Sequence, residues 1–244
     1  MNKMILTEIK LFLREPAGPL FAILLPLVLL LGLGSTPGLQ EAPPEMGGER
    51  IVDTHFPTMM VILAVVTMAL TTLPATLVSY RESGVLRRMS TTPVSPVRLL
   101  VAQVVNNLVV AIVATALLIG FGYLILGLTP PRNILAFAGV FVLGTASMFG
   151  LGLLISALAP SAKSAPGIGS LLMFPLLFMS GMWVPREFMP TLVRQVGDFL
   201  PMAPFATALR DTWAGHAPQP LHLVVVAVTL LVTGGLATRL FRWE

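Results

Sequence analysis

The 244-residue chain is 55% hydrophobic and 11% charged, carries a formal net charge of +4 and contains no cysteine. An ordinary soluble domain is roughly 25% charged, and a soluble core of this size has no room for so much apolar surface, so lipid must be part of its solvent. Without cysteine there is no disulfide framework, thiolate nucleophile or cysteine metal site, and the basic residues sit at the ends of apolar runs, which reads as membrane topology rather than a nucleic-acid surface.

Six stretches hold no Asp, Glu, Lys or Arg: residues 16–40, 54–80, 99–131, 133–162, 164–185 and 212–238. Each exceeds the roughly 20 residues a helix needs to cross a ~30 Å hydrocarbon layer. The pattern predicts an all-α integral membrane protein with six transmembrane helices, at about 19–34, 57–79, 97–127, 134–158, 165–184 and 220–239, in a single domain 1–244. Charges before residue 16 leave no uninterrupted apolar core for a signal peptide, so the first span is expected to stay in the protein. Alternate loops differ in Lys and Arg. The N-terminus, 80–98, 159–163 and the C-terminus hold ten, whereas 35–56, the turn at Arg132 and 185–217 hold five, which puts both termini in the cytoplasm.

In chain order, residues 2–15 carry Ile5, Ile9, Phe12 and Leu13 at helical spacing opposite Lys3, Thr7, Lys10 and Arg14, the pattern of an interfacial helix. Loop 35–56, rich in Pro, Gly and acid, reads as a mobile external loop. Span two contains Thr71, Thr72 and Pro74, where proline frees a carbonyl and a kink is expected. Span three opens with Ser95 as N-cap and Pro96 as first helical residue. Span four bears Gly139, Gly144, Ala146, Gly150 and Gly152, small residues that let helices approach closely. The short turn 159–163 makes spans four and five an antiparallel hairpin.

The segment 185–217, punctuated by Pro185, Pro190, Pro201 and Pro204, is unlike a simple loop: Leu192, Val193, Val196 and Phe199 share a helical face apart from Arg194 and Asp198. Short re-entrant or interfacial helices before the last span are expected. Trp183 and Trp213 at its margins suit an aromatic belt.

Chemistry-bearing motifs are scarce. There is no P-loop, no H-E-x-x-H and no G-x-S-x-G. Ser180, with His216 or His222, sketches a poor intramembrane hydrolase acting on lipid; the better reading is a hydroxyl bonding its own backbone. The spans carry no acid, which weighs against an ion-coupled secondary transporter, since such pumps place titratable groups inside the membrane. Gln103, Asn106 and Asn107 fall on one face of span three and are candidates for a translocation path or a dimer contact. The loop 80–96 is the densest constellation. A short helix over Arg81, Glu82, Gly84, Val85, Leu86, Arg87, Arg88 and Met89 mixes apolar and charged residues before a stop at Thr92-Pro93, which suits docking of a protein partner better than an anchor on anionic lipid.

That loop resembles the signature of type-2 ATP-binding-cassette exporter permeases: Glu82, then Gly84 and Leu86, then Thr92-Pro93-Val94-Ser95 leading into a span. Ser180-Gly181 followed by Trp183 and Pro185, and Leu200-Pro201 followed by Pro204, are similar to further family patterns, so the resemblance covers nearly the whole chain. It is nearest to the daunorubicin-resistance and nodulation-type permeases. The resemblance implies a permease subunit without enzymatic activity of its own that moves an amphipathic or lipid-like substrate (drug, lipid or lipid-linked glycan) out of the cytoplasm or inner leaflet. It implies separate nucleotide-binding ATPase subunits carrying the ATP and Mg, and a second permease copy or paralogue. It also implies a bacterial-type cytoplasmic membrane location, a coupling role for Arg81 to Met89, and an external gate near Ser180, Gly181, Pro185, Pro201 and Pro204. No cofactor, metal or nucleic acid is expected on this chain.

Overall fold

The structure, a computed structural model, describes residues 17–41, 50, 52–85, 96–182 and 186–240. The expected interfacial helix 2–15, the acidic core of the first external loop, Leu86 to Ser95, Trp183 and Pro185 lie outside the described residues. Among the described residues every regular element is helical and none is a strand. The long elements are α1 (Ala17–Gly34), α2 (His55–Glu82), α3 (Pro96–Leu126), α4 (Ile134–Leu158), α5 (Ala165–Met179), α6 (Thr191–Asp198), α7 (Met202–Ala214) and α8 (Pro220–Leu240). α2, α3, α4 and α8 are long and apolar enough to cross a membrane; α1 and α5 are shorter apolar helices.

Local chemistry sets the ends. Pro96 is the first residue of α3, where a missing N–H costs nothing. Asn133 caps α4 by accepting the Ala136 N–H at 3.1 Å. Past the end of α1, the Ser35 and Thr36 hydroxyls donate to the Gly32 and Leu33 carbonyls at 2.8 and 2.6 Å. α5 stops at Met179, where Ser180 and Gly181 fold back on the carbonyls of Leu176 and Phe178.

The uncharged run of α2 is not one uniform helix. Residues Met68–Thr72 form a π-turn inside it, a local widening common at functional positions. The Leu73 N–H bonds back to the Met68 carbonyl and Pro74 has no N–H to give, so the carbonyls of Ala69 and Leu70 lose their ordinary donors four residues on. Two glycines press against those same carbonyls. A Cβ on Gly152 of α4 would lie 2.0 Å from the Ala69 oxygen, and one on Gly169 of α5 would lie 1.7 Å from the Leu70 oxygen. Only a residue without a side chain allows this approach, in which the glycine Cα–H groups face the freed carbonyls. The kink expected from Thr71, Thr72 and Pro74 thus takes the form of a π-turn seated on α4 and α5.

α4 is the centre of the molecule, packed on α8 and α7 and also touching α2, α3 and α5. Gly144 is filled by the ring of Phe205 from α7, and Gly150 by Thr233 from α8, so the small residues of this helix do serve close packing. Gly139 faces open space and takes no part. α3 and α8 leave most of their surface outside the bundle, with Ile112, Val113, Leu124, Val228 and Leu231 outward, as a lipid-facing helix requires.

Candidate functional site

The described loops gather at two ends. At one, residues at the start of the 80–96 loop meet the turn between α4 and α5. At the other, Arg50 and Asp53 meet 127–132, which in turn meets 213–215. These are the two alternating loop sets that the charge count separates.

At the first end, α2 finishes at Glu82 and Gly84 takes a left-handed φ of +69°, its N–H bonded to the Arg81 carbonyl at 3.1 Å. That glycine turns the chain sharply away from the helix axis. The Arg81 guanidinium donates to the carbonyls of Ser156, at 3.4 Å, and Ala159, which are the terminal carbonyls of α4 and the negative end of its dipole. The next residue does the reverse. Glu82 Oε1 accepts the Ala162 N–H at 3.0 Å, just before α5 begins, where an anion is favoured. Beneath the pair, Val78, Ala159 and Ala165 are buried together with Ala162 against them. Ser161 and Ser164 close the turn reciprocally, each backbone N–H donating to the other's hydroxyl oxygen at 3.1 Å. Of the predicted coupling residues, Arg81 and Glu82 therefore hold the α4–α5 turn, Gly84 and Val85 follow at the chain's exit, and Leu86, Arg87, Arg88 and Met89 lie outside the described residues.

Gln103, Asn106 and Asn107 are 2, 3 and 4% exposed within the single chain, so this face of α3 looks into its own bundle. The Asn107 amide donates to the Gln103 carbonyl at 2.8 Å, while Asn106 Oδ1 is buried with no hydrogen-bond partner among the described residues. An unpaired buried acceptor costs about 1–3 kcal/mol. Thr115 further along α3, and Thr145 and Ser147 on α4, also have buried hydroxyl oxygens without partners.

At the other end, Arg50 pairs with Asp53 at 2.7 Å and reaches the Gly127 carbonyl, and Asp53 accepts the Thr129 N–H at 3.3 Å. The Thr129 carbonyl in turn accepts from the Trp213 indole at 3.1 Å, and the Arg132 N–H donates to the Trp213 carbonyl at 3.0 Å. Trp213 is 1% exposed and stands edge-on to Phe137 with centroids 5.4 Å apart. The sequence expectation of an aromatic-belt tryptophan is corrected here: the ring is an internal strut, because its N–H finds a carbonyl inside the protein.

The proline-rich segment is built on Arg186, which donates to Asp198, to the Thr207 hydroxyl at 3.2 Å and to the Arg194 carbonyl at 3.2 Å. Asp198 of α6 turns in to Arg186, while Phe188 ahead of the helix, Leu192 and Val196 within it and Phe199 just past its end are exposed. This is the reverse of a helix facing water. Pro201 and Pro204 are buried at the start of α7. Ser180 is buried and donates to the Leu177 carbonyl at 2.7 Å, the backbone role expected of it. It lines a narrow cleft with Thr58, Met59, Ile62, Met182, Ala206 and Arg210. Burial pushes the nearby Asp211 carboxyl above the ordinary range, against the opposing pull of His222, Arg210 and His216. Sequence reading missed the Arg186 hub and the Asn133 cap. Arginine flanked by prolines signalled only a loop, and its partners are 8 to 21 residues away.

Residues 3–213 match the profile of the ABC-2 type transporter family. The chain belongs to that family. Similar proteins include YvfS of Bacillus subtilis (strain 168), which carries a transport-permease name and is 23% identical over 95% of this chain and 93% of its own length. The daunorubicin resistance ABC transporter permease protein DrrB1 of Streptomyces coeruleorubidus is 29% identical over 66% of this chain and 59% of its own. Nodulation protein J of Rhizobium leguminosarum bv. viciae is 33% identical over a shorter stretch, 38% of this chain and 36% of its own. The resemblance drawn from the loop 80–96 is thereby shown, and this ABC-2 chain is a multi-pass membrane transport permease. The matched region contains both described ends of the bundle, from the Arg81 and Glu82 contacts to Trp213.

Proposed function

We propose that the chain is the permease subunit of an ATP-driven exporter, moving an amphipathic or lipid-like substrate out of the cytoplasm or inner leaflet. The observation that carries this reading is the family match over residues 3–213, joined to a loop at the end of α2 that combines charges with apolar residues in the manner of a protein docking surface. α1 and α5 complete six spans with α2, α3, α4 and α8, and both termini face the cytoplasm of a bacterial-type inner membrane. The acid-free spans supply no ion relay, so the energy comes from separate ATPase subunits that hold ATP and Mg. One six-span chain is half of a transporter and pairs with a second copy or a paralogue.

Within this scheme Leu86 to Met89 dock on the ATPase, and ATP-driven closure there rocks the permease halves. The amide row on α3 is the polar element of the path, supported by the unpaired Asn106 Oδ1. The segment from Ser180 through Pro204, tied by Arg186, forms the outer gate. α6 lies with Phe188, Leu192, Val196 and Phe199 against the outer leaflet, where apolar side chains gain by burial.

The test is co-expression with an ATPase subunit of the same exporter type, purification of the chain, and measurement of what accompanies it. The expected result is a stable complex containing two permease chains, whose yield of ATPase falls about tenfold in Arg87→Ala. A chain that purifies alone and moves amphipathic dye without ATP contradicts the reading.

A further inference from the structure

The coupling role expected of Arg81 and Glu82 was contact with the ATPase, yet both side chains are turned onto this chain's own second cytoplasmic turn. We infer that Arg81 and Glu82 are positioning residues that lock the 159–164 turn to the end of α2, so that the two cytoplasmic segments receive force from the ATPase as one body. The inference rests on the exporter reading.

Four observations support it. Consecutive residues serve opposite helix termini: the Arg81 cation covers the last carbonyls of α4 and the Glu82 carboxylate takes the Ala162 N–H ahead of α5. No flexible side-chain pair spans the gap; in each case a charged group meets fixed backbone, so a shift of the turn breaks both contacts together. The apolar seal of Val78, Ala159 and Ala165 lies under the two contacts, and the reciprocal Ser161 and Ser164 bonds stiffen the turn itself. Finally, the part of α2 that carries the clamp is set off from the rest of the helix by the π-turn at Met68–Thr72, and this lower part packs on both α4 and α5. A push arriving through residues 86–95 therefore reaches the α4–α5 hairpin directly, without first passing through the π-turn.

The experiment uses the full permease with its ATPase subunit in proteoliposomes. The hydrogen bond to the Ala162 N–H needs only an oxygen acceptor at 82, whereas an ion pair with the ATPase needs the charge, so Glu82→Gln and Glu82→Ala separate the two. Glu82→Ala is expected to keep the ATPase subunit bound while substrate moved per ATP hydrolysed falls about tenfold, and Glu82→Gln is expected to recover most of that loss. This chain has no cysteine of its own to compete, so Val78→Cys with Ala159→Cys, oxidised, supplies a covalent clamp; it is expected to restore coupling to Glu82→Ala and to leave the otherwise unmodified transporter active. Loss of ATPase binding in both Glu82 variants, unchanged coupling in Glu82→Ala, or inhibition by the disulfide overturns the inference. Should Glu82→Ala fail to insert, Glu82→Gln and the disulfide in the otherwise unmodified chain still decide it. Failure of the parent chain to bind any ATPase defeats the exporter reading instead, and is seen before any variant is made.

Discussion

Single atoms decide much of this structure because the bundle is assembled on glycines that meet backbone. Gly152 and Gly169 approach the carbonyls of Ala69 and Leu70 so closely that an added methyl has nowhere to go, since the obstacle is main chain and not a mobile side chain. Gly169→Ala is therefore expected to destabilise the folded permease by about 1–3 kcal/mol despite the better helix propensity of alanine. Gly139→Ala, with open space around it, is expected to be neutral or stabilising by up to about 1 kcal/mol. Thermal unfolding of the purified variants in the same detergent checks the pair; equal midpoints for the two contradict the packing described. Asn106 makes a different case. Replacing it by leucine removes an Oδ1 acceptor that is buried without a partner among the described residues and leaves stability unchanged or higher, while transport falls if the α3 amides line the path. Asp211 gives a pH dependence. Its carboxyl is held above the ordinary range by burial, so the folded state binds that proton more tightly than the unfolded chain does. The penalty is present above the folded-state value and is relieved as pH falls through it, so Asp211→Asn should raise the midpoint at neutral pH and shrink its gain on acidification.

Among the elements, α2 carries the clearest consequence. Pro74 and the π-turn deprive Ala69 and Leu70 of their usual donors, and Pro74→Ala restores an N–H at that point. The expected outcome is a more stable permease, read as a higher unfolding midpoint; a lower midpoint contradicts the loss of donors described. The helices themselves were legible in the sequence where a single signal governed them. Pro96 announced the start of α3, and the uncharged run 133–162 announced α4, because apolar length and proline chemistry are local. What the sequence did not disclose was pairing at a distance. Trp213 looks like an interface tryptophan until the Thr129 carbonyl, 84 residues away, is found to hold its N–H. Arg81 and Glu82 look like free docking charges until the turn near Ser156 to Ala162, 75 to 80 residues on, takes them. No periodicity within a helix encodes which backbone groups another turn will offer.

For the molecule as a whole, two laced ends joined by spans without carboxylates fit the proposal of a permease driven from outside its spans. One end ties Arg50, Asp53, 127–132 and Trp213 into a network of backbone and side-chain bonds; the other ties α2 to the α4–α5 turn. Among the described residues the buried polar side chains between them are hydroxyls and amides, with His222 the one titratable group. The most direct measurement is substrate efflux from proteoliposomes that contain the permease with its ATPase subunit, with ATP and Mg supplied on the cytoplasmic side. Efflux that requires hydrolysable ATP, stops when the ATPase subunit cannot hydrolyse it and persists when ion gradients are dissipated is the result expected; efflux that ignores ATP and collapses with the proton gradient would contradict the account.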